Sequence, residues 1–81
     1  MTQHKLYNSQ SAIVTSEQWD GDNVVFAGTG GAAARPPTVT FSGPNTLSGI
    51  SDIGTAAAPG YGTINLMPGG ALSAGSLTVN R

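Results

Sequence analysis

The chain has 81 residues, of which three are basic and four acidic, with no cysteine and a single histidine, His4. Disulfides, thiolate metal sites and a histidine-based zinc site are therefore excluded. The near-neutral balance argues against nucleic acid as a partner.

A chain this short forms one domain at most and buries only about 60% of the surface its unfolded form exposes. With disulfides and metals gone, oligomerisation or docking on a larger partner is the stabilising route left. Charge is low while Thr, Val and Ile are plentiful, which favours an ordered β protein over a disordered one. No apolar run reaches the roughly 18 residues that span a membrane. The N-terminus lacks the apolar stretch of a signal peptide, so the chain is expected to stay in the cytoplasm or leave by another route.

In chain order, residues 1–11 are polar and read as an N-terminal arm anchored by Leu6 and Tyr7, or as a frayed end. Residues 12–27 read as a hairpin. Ala12-Ile13-Val14-Thr15 and Asn23-Val24-Val25-Phe26-Ala27 are strand-like, and Asp20-Gly21 between them is a strong turn signal. Residues 28–37 are a Gly/Ala-rich loop ended by Pro36 and Pro37. Thr38-Val39-Thr40-Phe41-Ser42 alternates as a half-buried strand does, and Gly43-Pro44-Asn45 turns it. Leu47, Ile50 and Ile53 follow at threefold spacing, as a helical turn or an irregular rung; Gly49 and Gly54 oppose a long helix. Residues 54–62 form a second small-residue loop. Thr63-Ile64-Asn65-Leu66 alternates again, Pro68-Gly69-Gly70 turns, and Ser76-Leu77-Thr78-Val79-Asn80 is a last alternating strand. Residues 38–51 also lie over 63–76 with a shift of 25, matching Thr38/Thr63, Leu47/Leu72, Ser48/Ser73 and Ser51/Ser76. Such a repeat arises from stacked rungs, from two equivalent hairpins, or from composition alone.

Signals for chemistry are sparse. The Gly28-Thr29-Gly30-Gly31 run after a strand imitates a dinucleotide fingerprint, but Pro36 and Pro37 stop the helix that fingerprint must open. Asp20, Asp22 and Asn23 offer oxygens for calcium but fall short of a full ligand set, and a hairpin turn explains them better. His4 has no acid close in sequence. No Gly-x-Ser-x-Gly elbow occurs, and Glu17, Asp20, Asp22 and Asp52 do not read as a desolvated carboxylate pair. The expectation is therefore no enzyme and no cofactor. Trp19, Tyr7 and Tyr61 would suit a sugar-stacking platform, against the plainer reading of Trp19 as core.

The remaining feature is a charge gap. Between Pro36 and Asn80 the only charged residue is Asp52. Free domains carry mixed surface charges, so this stretch reads as covered surface, an interface with copies of itself or with a scaffold; the alternative is surface solvated by hydroxyls and backbone.

A short cysteine-free chain with a polar arm, a Gly/Ala/Thr-rich β region and little charge resembles the capsid decoration, or cement, proteins of tailed bacteriophages. The resemblance covers most of the chain by general character. It implies a compact β fold, often trimeric, docked outside an icosahedral shell on the major capsid protein or another virion scaffold protein, with residues 1–11 as the arm.

The expected fold is all-β with about five to seven short strands, a small antiparallel sandwich or barrel or a short β-solenoid, with residues 1–11 as arm and 12–81 as a single domain. The expected core is Ile13, Trp19, Val24, Phe26, Val39, Phe41, Ile64, Leu66, Leu77 and Val79. The expected partner surface is Leu6, Tyr7, Arg35, Pro36, Pro37, Pro59 and Tyr61. The expected role is a non-enzymatic virion protein, assembled in the host cytoplasm, that binds and stabilises a phage capsid through avidity. Alternatives are a glycan-binding or adhesin module, a tail, spike or fibre component, and an assembly chaperone.

Overall fold

A computed structural model describes residues 2–30, 35–55 and 57–79. Its strands are β1 (Gln3–Tyr7), β2 (Ser11–Val14), β3 (Asn23–Ala27), β4 (Thr38–Phe41), β5 (Pro44–Leu47), β6 (Gly49–Asp52), β7 (Thr63–Leu66), β8 (Ala71–Ala74) and β9 (Leu77–Thr78). They form three sheets, β1-β3-β6-β9, β2-β4-β7 and β5-β8. Every strand pair is parallel. Parallel neighbours cannot be joined by a tight hairpin, so the chain visits the other sheets before it returns. The result is a stack of coils with three sides around one core.

The expectation of an antiparallel sandwich or barrel is thereby corrected. There is no closed barrel, and the strands outnumber the expectation. The hairpin read over 12–27 does not form. β2 and β3 lie in different sheets, each paired with a strand from the next coil. Gly21 does adopt the left-handed backbone the turn signal requires, with φ 78°, but the turn carries the chain onward to the next side instead of back along β2. Within the segment read as an arm, Gln3–Tyr7 form β1, which pairs along its full length with β3, Leu6 opposite Phe26.

The core takes one stripe from each side: Leu6, Val24, Phe26 and Ile50 from the first sheet, Val14, Val39 and Phe41 from the second, and Leu47 from the third. Side chains alternate in and out along each strand, and in-register stacking turns that alternation into columns. One inward column runs Ala12, Val39, Ile64 and a second Val14, Phe41, Leu66. Each fully buried aliphatic or aromatic side chain contributes about 1.5–3 kcal/mol. Ile13, expected in the core, is 70% exposed because Ala12 and Val14 hold the inward parity of β2.

The third side of the first coil has no strand. Residues 15–22 turn there and lie over β5 as an irregular rung. Glu17 N–H donates to Pro44 O at 2.7 Å and Gly21 N–H to Thr46 O at 2.8 Å. Asn45 completes the attachment from within and is only 3% exposed. Its Oδ1 accepts from Trp19 N–H at 2.9 Å, while its Nδ2 donates to Thr15 O at 2.9 Å and to Gly43 O at 3.2 Å. At the corner before β5, a side chain on Gly43 would collide with the Ser16 backbone, so the rung sits this low only over glycine.

The 25-residue repeat meets the register on one side only. Thr38 lies opposite Thr63, an offset of 25, but Pro44 lies opposite Ala71, an offset of 27. The turn before β8 is longer than the turn before β5, so Leu47 stacks on Ala74, not on Leu72. Among the described residues no helix is long and apolar enough to cross a membrane.

Candidate functional site

The two ends of the stack differ, and the difference follows from their side chains. At the N-terminal end, β1 brings His4 beside Trp19, whose rings stack at 3.8 Å with an 8° interplanar angle. Trp19 in turn meets Phe41 edge-on, centroids 6.4 Å apart. His4 Nε2 lies 2.8 Å from Asp22 Oδ2, and Asp22 Oδ1 accepts from Thr2 N–H at 3.1 Å. The hydrogen bond from His4 is the main reason the Asp22 carboxyl ionises below the ordinary carboxylate range, helped by the Thr2 N–H. Asp20 Oδ1 also accepts from Thr46 N–H at 2.8 Å. This end is closed by an aromatic plate edged with charge. The missing sequence neighbour of His4 is supplied from 18 residues away by the β1–β3 pairing.

The C-terminal end has no such lid. Ile64, Leu66 and Leu77 occupy inward positions, opposite Val39, Phe41 and Ile50 of the coil beneath. Those partners are buried, yet Ile64 is 39%, Leu66 55% and Leu77 68% exposed. Val79 and Met67 are exposed beside them. Among the described residues no strand stacks on β7 or β9, the last strands of their sheets. Of the expected core, Val24, Phe26, Val39 and Phe41 are buried and Trp19 packs against them, whereas Ile64, Leu66, Leu77 and Val79 form this open end. The correction has a simple cause: alternation assigns the inward face, and burial requires a further coil on top.

The open end contains a depression of about 270 Å³ lined by Phe26, Ile50, Asp52, Ile64, Leu77 and Val79 among others. Asp52 is its charged residue, with Oδ1 accepting from Gly54 N–H at 2.7 Å. Strand edges are open here too. Thr63 N–H donates to Pro37 O and Met67 N–H to Phe41 O. In a parallel strand successive residues bond to opposite sides, so the N–H groups of Ile64 and Leu66 point away from the stack. By the same alternation the Leu77 N–H points outward, since Ile50 N–H donates to Ser76 O.

The residues expected as a partner surface collect at the corner between the first and second sheets. Ser9 N–H donates to Arg35 O, Thr63 N–H to Pro37 O, and Tyr61 N–H to Gly28 O. Tyr7, Arg35, Pro36, Pro59 and Tyr61 are exposed there, while Leu6 and Pro37 point inward and are buried. Asn8 braces the corner, its side chain bonding both the N–H and the carbonyl of Thr29. The glycine-rich run continues into residues 31–34, which lie outside the described residues. Asp20, Asp22 and Asn23 gather no metal ligand set: among the described residues no group of three or more His, Asp or Glu side chains is placed to hold an ion.

The open end was not named from sequence as a site, although the charge gap over residues 37–79 was its signal. Comparison of the chain with protein-family models, curated proteins and solved structures finds no match.

Proposed function

We propose that this protein is a non-enzymatic structural component of a larger assembly, of the kind the resemblance to phage capsid decoration proteins implies, and that it works by adhesion. The observation that carries the reading is the open end. An apolar face with free strand edges is a liability on an isolated domain and an asset in a particle, where a neighbour covers it. Repetition by symmetry then multiplies modest contacts into firm attachment. On this reading the exposed corner of Tyr7, Arg35, Pro36 and Tyr61 faces the major capsid protein or another virion scaffold. The setting is a virion assembled in the host cytoplasm.

A tail, spike or fibre component is the second reading, favoured by the parallel stack itself, a form that extends by adding coils. The glycan-binding reading is weakened because His4 covers one face of Trp19. The test is the composition of gradient-purified particles from cells that express the chain and the particle together. A decoration protein bands with the particles at a fixed ratio to the major capsid protein. A chain that is expressed and folded but absent from the particles contradicts the reading.

A further inference from the structure

We propose that the open C-terminal end is covered by a second copy of this chain, the two stacks meeting end to end about a twofold axis. The inference rests on the open end being a working surface, and it names the occupant.

Size comes first. Four strands of the first sheet spaced about 4.8 Å apart span about 14 Å, so the 18 Å extent of the molecule runs along the stack and the 35 × 22 Å extents bound its end. An ellipse of those axes covers about 600 Å², so two such ends meeting over their full outline remove up to about 1,200 Å², which reaches the smallest specific interfaces.

Charge comes second. From Ile53 to Val79 the sequence carries no charged residue, so apart from Asp52 this end brings no like charges to a copy of itself. Asp52 sits in the depression already held by Gly54 N–H.

Shape comes third. The face carries both a depression and, outside its lining, the exposed Leu66. A twofold axis presents each to the other, as a self-complementary contact requires.

The alternative arrangement between copies is head to tail. It would press the apolar face onto the N-terminal end, where Asp22 is engaged by His4 and Thr2 and Asp20 by Thr46 N–H. That contact would desolvate the Asp20 and Asp22 carboxylates and would propagate into a filament. The closed end is what limits assembly to two.

The experiment is sedimentation equilibrium of the full chain from about 1 to about 500 μM, with Leu77→Asp, Leu66→Asp and, as control, Ile13→Asp. Ile13 is as exposed as Leu77 but lies on the outer face of β2, away from the open end. Circular dichroism confirms the fold of each variant. The expected result is a monomer–dimer equilibrium for the natural chain. Leu77→Asp and Leu66→Asp each raise the dissociation constant at least tenfold, because a twofold contact receives every substitution twice. Ile13→Asp leaves it unchanged.

A natural chain that stays monomeric overturns the proposal even if both variants fail to fold. So do a trimer, a series that grows with concentration, and a dimer that survives both end substitutions. Particle binding is scored separately by co-banding, so a monomer that still bands with particles removes the second copy and leaves the adhesive role standing.

Discussion

Asn45 offers the sharpest check on the packing. Its amide ties the strandless segment 15–22 to β5 through three hydrogen bonds, one accepted from Trp19 and two donated to Thr15 and Gly43. One coil later the same column holds Leu72, opposite Asn45, so a leucine suits this side of the stack in shape. Asn45→Leu therefore isolates the polar loss. Trp19 N–H would be left without its acceptor, while Thr15 C=O keeps the Gln18 N–H at 3.2 Å, and an unsatisfied backbone group away from water costs about 1–3 kcal/mol. The expected destabilisation is about 1–3 kcal/mol, against a total of about 4–12 kcal/mol for a domain of this size at the usual stability per residue. Urea unfolding followed by Trp19 fluorescence reads it directly. With a slope near 1 kcal/mol per M, the midpoint falls by about 1–3 M. Asn65, exposed on the outer face of β7, is the control, and Asn65→Leu should stay within about 0.5 kcal/mol. A midpoint for Asn45→Leu that matches the control would refute the attachment described for residues 15–22.

Three further outcomes follow from the same coordinates. Val14→Ala should cost about 2 kcal/mol through the cavity it leaves, while Ile13→Thr should stay within about 0.5 kcal/mol, and thermal melts of the two reverse if the parity of β2 is wrong. Gly62→Ala places a methyl against the Phe26 ring, and a loss of about 1–3 kcal/mol by urea titration is expected from overpacking. The depressed Asp22 carboxyl contributes stability that is present above its ordinary pKa of 3.8 and is lost as pH falls through the lower folded value. Asp22→Asn should remove that part of the acid dependence in melts taken across the acid range, and an unchanged profile would mean the His4 contact is not made.

Sequence reasoning reached some columns of this structure and missed others for identifiable reasons. Val39 and Phe41 alternate with threonines, so their inward face was plain, and Val24 and Phe26 were equally readable. In Ala12-Ile13-Val14 every residue is apolar, so parity was undetermined and the largest side chain misled. Asp20-Gly21 gave the turn but not the partner strand, because local turn chemistry does not say which strands pair. Asn45 looked like turn chemistry after Gly43-Pro44. It is instead an inward polar residue whose partners lie 26 and 30 residues away in the coil before it. The His4–Asp22 contact depends on the same long-range pairing. The open end shows the limit most clearly. Ile64, Leu66 and Leu77 carry the pattern of buried strand residues, and only the stacking order shows that β7 and β9 are the last strands of their sheets among the described residues.

The central claim is a parallel stack open at its C-terminal end, and residue-resolved hydrogen exchange at dilution tests it most directly. The account predicts alternation within β7. The amides of Thr63 and Asn65, turned towards β4, should exchange slowly, and those of Ile64 and Leu66, turned outward, should exchange fast, while Val39 and Phe41 one coil below are protected. Equal protection along β7, or equal exposure along it, would contradict the account.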